Sequence, residues 1–211
     1  MKVFKLMALA AIAMPFMFSC SGGGSSSDTL LFGALPGQFE QLLAEQAELK
    51  EKAKDIKSEA EKAELIKKSE EIKEKWSGKI EESAKALDGK QIEFAQSDVK
   101  VTQPVSLQYE GFFSKSDMTP KFKINGAAEV TSEINTDAPY ILPSEHVYIV
   151  GYNAEGQEVY RIKAGFVAAE NVDGKSVVKA GTPVTFDPIV FSDNKVEQYK
   201  EAKTLKLEVL R

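Results

Sequence analysis

Cys20 is the only cysteine and His146 the only histidine of the chain, and that scarcity bounds its chemistry. A single thiol excludes an intramolecular disulfide, and a zinc site would lack both a second histidine and a second cysteine. His146 follows Pro143-Ser144-Glu145 at the start of an expected strand. No G-x-S-x-G elbow accompanies it, so it reads as a surface or strand-edge histidine rather than as the base of a Ser-His-Asp triad. Neither the stretch from Asn171 to Lys175 nor that from Ser192 to Lys195 has the alternating acids of a calcium loop. No glycine-rich loop precedes a helix, which leaves phosphate and dinucleotide binding without support. Two loops concentrate large apolar side chains: Gly111 to Met118, with Phe112 and Phe113, and Ala138 to Pro143, with Tyr140 and Ile141. At one end of a sandwich such loops serve as ligand or partner contacts, and Phe112, Phe113 and Tyr140 are the candidates. The alternative is that Phe112, Phe113, Tyr140 and Ile141 plug the end of the core. No catalytic, metal or cofactor-binding residue emerges.

The first twenty residues explain the lone cysteine. Lys2 and Lys5 precede an apolar run from Leu6 to Phe18, and Cys20 follows. Thirteen helical residues cover roughly 20 Å, short of the ~30 Å of a bilayer core, so the run is a targeting segment and not a span. The segment resembles the signal peptide of a bacterial lipoprotein precursor, with Met17 and Ser19 where the lipobox usually carries Leu and Gly or Ala. The resemblance implies that residues 1–19 are removed and that the Cys20 thiol carries a diacylglycerol. An ordinary secretory signal cut near Ser19 would instead leave Cys20 as a free thiol. Ser21 after Cys20, with no acid there, resembles lipoproteins of the Gram-negative outer membrane. The lack of an acidic run implies a body that faces the periplasm.

Without Lys2 and Lys5 the charge balance is 25 basic against 32 acidic side chains, a net of about −7. This balance argues against a nucleic-acid partner and provides no polybasic patch for anionic lipid. Membrane attachment then rests on acyl chains, of which two or more anchor stably. Residues 20–37 read as a lipidated tether. Ser21 to Ser27 are glycine and serine only, and Leu30 to Gly37 form an apolar stretch that packs either on the lipid or, preferentially, on the folded body.

The elements that must position any site fall into two classes. Residues 38–88 form a helical stalk or arm: from Phe39 to Leu87 there is no proline, one glycine, and an abundance of Ala, Glu, Lys and Leu. Leu42, Gln46, Leu49, Ala53, Ile56, Ala60 and Ala63 trace one apolar seam; a second runs through Leu65 or Ile66, Ser69, Ile72, Trp76, Ile80, Ala84 and Leu87. One continuous helix would be roughly 73 Å long. It would need a partner along its seam, either its own copy or another envelope protein. A bend near Ile66 to Ser69 or at Ser77-Gly78 would instead fold the halves onto each other or onto the next domain.

Residues 89–211 switch to a period of two, as in Val99, Val101, Val105, Leu107 and Tyr109, with turns at Asn153 to Gly156, Asp173-Gly174 and Lys179 to Gly181. Six to eight strands over this length predict an antiparallel β-sandwich. Tyr152, Asn153, Gly156, Gly181 and Phe186 hold the turn positions of a pattern that resembles immunoglobulin-like sandwiches of the FxLYD and LEA14-like type, with Asn153 where Asp is usual. That resemblance implies a largely non-enzymatic domain. The expected molecule is α+β: a long N-terminal helix, kinked or in a coiled coil, followed by an immunoglobulin-like β-sandwich. Its expected role is a non-catalytic binding or scaffold lipoprotein of the cell envelope. The competing readings are an envelope hydrolase using loop carboxylates and a spacer resembling the small coiled-coil lipoprotein that ends in lysine, where this chain has Arg211.

Overall fold

The computed structural model describes residues 31–95, 97–114, 118–191 and 195–210; Cys20 and the targeting segment lie outside them. The chain is α+β, but the long N-terminal helix is not observed. Two helices, α1 (Leu35–Lys54) and α2 (Glu59–Lys85), replace it. The break falls at Asp55 to Ser58, ahead of both bends expected from the seam. Its cause is local chemistry: Ser58 is an N-cap whose hydroxyl accepts from the Glu61 amide, while the Glu61 carboxylate accepts from the Ser58 amide. This reciprocal capping box starts a new helix inside a run of helix formers. The two helices pack antiparallel, with Glu45 against Lys75 and Trp76, as a helical hairpin.

The remaining chain is rich in strands: β1 (Phe94–Ala95), β2 (Val99–Ser114), β3 (Thr119–Val130), β4 (Ile134–Pro139), β5 (Ser144–Tyr152), β6 (Glu158–Ala168), β7 (Glu170–Val172), β8 (Lys175–Val178), β9 (Val184–Phe186), β10 (Ile189–Val190) and β11 (Thr204–Val209), with a short α3 (Val196–Glu201) before the last. They form a five-stranded sheet in the order β1-β11-β5-β6-β9 and two three-stranded sheets, β10-β3-β2 and β4-β8-β7. Pairing is antiparallel except between β1 and β11. The alternation expected from the sequence is met in the packing. Val147 and Ile149 of β5 and Leu205, Leu207 and Val209 of β11 are buried, together with Leu107, Phe122, Ile124 and Val130 of the smaller sheet, in one core. Residues 182–190 close one side of this sandwich-like body by changing sheets: Thr182 and Pro183 meet β3, β9 pairs with β6, and β10 returns to β3.

The hairpin is rooted in that core. Leu35, Phe39 and Leu42 from the start of α1 and Trp76, Ile80 and Ala84 from the end of α2 are buried in the same cluster as the sheets. The apolar stretch before α1 packs on the body, as preferred from the sequence: Phe32 is buried, its ring 5.1 Å from Phe191 and 5.2 Å from Tyr199. Between Leu43 and Lys75, however, no residue is buried. The twelve residues of α1 beyond Leu42 therefore extend about 18 Å from the root.

Candidate functional site

Sequence logic makes the free half of the hairpin two-faced. In an antiparallel pair, moving one position on from the seam rotates both helices toward the same side. One side is a shallow groove with Leu49, Ile56, Leu65 and Ile72 along its floor. Its walls carry Glu45, Glu48 and Asp55 from α1 and its turn, and Glu61, Glu64 and Glu71 from α2. Lys52, Lys68 and Lys75 are the lysines among them, so six carboxylates stand against three ammonium groups. Lys75 is spent on Glu45 and Lys68 on Glu64, whereas Glu48, Asp55 and Glu61 form no ion pair among the described residues.

Glu45 marks where the groove meets the body. It accepts from the Lys75 ammonium and, at 3.0 Å, from the indole N–H of Trp76, and these bonds, chiefly that from Lys75, hold its carboxyl below the usual glutamate range. Lys75 and Lys79 lie over the Trp76 ring at 5.0 and 4.6 Å, so the cationic groups at the root are already engaged.

The opposite side of the hairpin has another character. Leu43 and Ile66 are the exposed large apolar side chains of the arm, 37% and 52% accessible, and each lies one position past a seam residue. Lys50 and Lys73 share that side, both exposed and neither in an ion pair among the described residues.

A second candidate surface is the outer face of the five-stranded sheet. His146, Tyr148 and Tyr152 alternate along β5, the central strand. The Arg161 guanidinium lies 5.3 Å from the Tyr148 ring centre and the Lys206 ammonium 4.5 Å from that of Tyr152. His146 meets Tyr148 edge to face. The Tyr152 hydroxyl donates to Glu208 at 2.6 Å, and this bond, assisted by burial, pushes the phenol up to about 12. Tyr152 pairs with Glu208 and Arg161 with Glu158, so the charged groups of this face are already engaged.

The three aromatic candidates from the sequence do not converge. Phe112 and Phe113 sit at the Ser114–Thr119 end of β2 and β3. Phe112 packs edge to face on Tyr109 at the core margin, while Phe113 is 68% exposed. Tyr140 lies at the other end of the body, where its amide donates to Gly174. The pairings Pro143 with Ala169, Val167 with Val184 and Pro183 with Glu129 tie its loop to the Val99–Val130 end. Ile141, expected as a plug, is instead 79% exposed. The hairpin groove was not singled out from the sequence, although the Ser58-Glu59-Ala60-Glu61 box could have indicated it.

Among the described residues no group of three His, Cys, Asp or Glu is placed to hold a metal ion, and no helix is long and apolar enough to cross a membrane. No protein-family model, curated protein or solved structure matches the chain.

Proposed function

We propose that the chain is a lipid-anchored protein of the bacterial outer membrane, facing the periplasm, that acts without catalysis as a binding or scaffold module. The observation that carries this reading is the free half of the hairpin: two helices rooted in a sheet-rich body whose projecting seam is only half covered. A two-helix arm with a half-covered seam is a surface for a partner, because isolated helices gain most of their stability by packing an apolar face. The anchor is Cys20. Ten residues lie between Cys20 and Leu31, where the described residues begin, so eleven Cα–Cα steps hold the body within about 38 Å of the lipid. The body is read as an immunoglobulin-like sandwich of the FxLYD and LEA14-like type. Its Asn153 turn supports this: the carboxamide oxygen accepts from the amides of Glu155 and Gln157, the work an aspartate does at that position.

Metabolic labelling with a fatty-acid analogue tests the anchor. The wild-type chain incorporates label and fractionates with the outer membrane, while Cys20→Ser loses the label and is released. An unlabelled wild-type chain with a mature terminus at Ser21 or later would overturn the reading.

A further inference from the structure

We infer that the groove of one hairpin takes the lysine-bearing side of the hairpin of a second copy, so that the arms associate face to back. The inference rests on reading the arm as the interaction element, and it names the occupant.

Charge argues for this occupant. The groove walls hold six carboxylates against three lysines; among the described residues Glu48, Asp55 and Glu61 form no ion pair, Glu61 being held by the capping amides, and of the lysines only Lys52 is unpaired. The side of the arm facing away from the groove carries lysines that can meet them: Lys50 and Lys73 are exposed, form no ion pair among the described residues, and flank the exposed Leu43 and Ile66; Glu70 shares that side, and Lys54 and Lys62 are paired with Glu51 and Glu59. Two grooves meeting each other would set acid against acid. A groove meeting the opposite side of another arm pairs acid with lysine and covers Leu43 and Ile66 together with the half-covered floor of Leu49, Ile56, Leu65 and Ile72. Because the two surfaces differ, the contact is heterologous, and each added copy leaves one groove and one lysine side free. Such an array grows with protein concentration. Since the charges lie at the surface, it weakens as salt shortens their reach.

The test uses the full chain in nonionic detergent density-matched to the buffer, with sedimentation equilibrium reading protein mass alone. Wild-type mass rises with concentration, and association weakens about tenfold or more from low to high salt. The groove variant Glu48→Lys with Glu71→Lys has lysines on both sides, and the back variant Lys50→Glu with Lys73→Glu has acids on both. Each stays monomeric alone, and an equimolar mixture associates. Far-UV circular dichroism checks that the hairpin persists. If a reversal unfolds it, the neutral pairs Glu48→Gln with Glu71→Gln and Lys50→Gln with Lys73→Gln replace it, each predicted to weaken association. Three results would overturn the inference: a wild-type chain that stays monomeric, a back variant that associates as the wild type does, or a mixture that remains monomeric. A monomer whose groove binds a leucine-lysine amphipathic peptide would assign the groove to a different partner. Acyl labelling at Cys20 is read separately, so loss of anchoring and loss of self-association are distinct outcomes.

Discussion

Glu45 and Gly165 show how single residues set the limits of this structure. At the foot of the arm the Glu45 carboxylate joins an indole N–H and an ammonium group, and its lowered pKa means that this link stabilises the fold at neutral pH and is lost as pH falls through the folded value. Gly165 does the opposite work, by having no side chain: a Cβ there would press into the Thr185 carbonyl oxygen and lie 3.1 Å from the Phe186 Cα. Since β9 pairs with β6 at this point, Gly165→Ala is expected to force the strands apart and lower stability by about 1–3 kcal/mol in chemical denaturation. On the outer sheet face, Tyr152 titrates late because it donates to Glu208. A phenol whose folded pKa exceeds its unfolded one stabilises the fold below about pH 10 and loses that contribution as pH rises toward about 12. Glu208→Gln is therefore expected to bring one phenol of the ultraviolet titration back toward 10, where an unchanged curve would contradict the bond. None of these contacts was legible in the sequence, because each depends on two elements meeting: α1 with α2, the late strand Thr204–Val209 with β5, or β9 with β6.

At the scale of elements, legibility followed periodicity. The strands read from alternation, among them Val99 onward, Phe122 to Val130 and Val147 to Tyr152, are present as β2, β3 and β5, because one buried face imposes a period of two. The elements without a period went unread. β4 has the polar sequence INTDAP, β7 is three exposed residues and α3 a single short helix. The helical run was read correctly in composition and wrongly in continuity. Its propensity is uniform, so the break depends on Ser58 and Glu61, whose capping bonds outweigh the small cost of leaving Asp55 to Lys57 non-helical. Ser58→Ala is expected to cost about 1 kcal/mol. Because none of residues 59 to 71 is buried, that loss should appear as faster amide exchange in the first turns of α2 with little change in the global melting temperature.

Over the whole molecule, the core is shared and the arm is not. The same buried cluster includes residues of all three sheets, Phe32 and the root of both helices, so the hairpin cannot leave the body without opening the core. Its outer part has only its own seam and its capping box to hold it, and the ion pairs Lys68–Glu64 and Lys54–Glu51 there are exposed, worth a few tenths of a kcal/mol each. A tight root and a marginal tip suit a binding element, since the tip gains stability from whatever covers its groove. The alternative architecture, one rod of roughly 73 Å, would place partners along a stalk instead. Spin labels at Lys50→Cys and Lys73→Cys in a Cys20→Ser background separate the two most directly, measured by pulsed dipolar spectroscopy on dilute protein at high salt. The hairpin predicts one narrow distance of about 15 Å, set by helix packing at 8–10 Å plus the label arms. A distance of roughly 35 Å, the rise of twenty-three residues in a continuous helix, would contradict it.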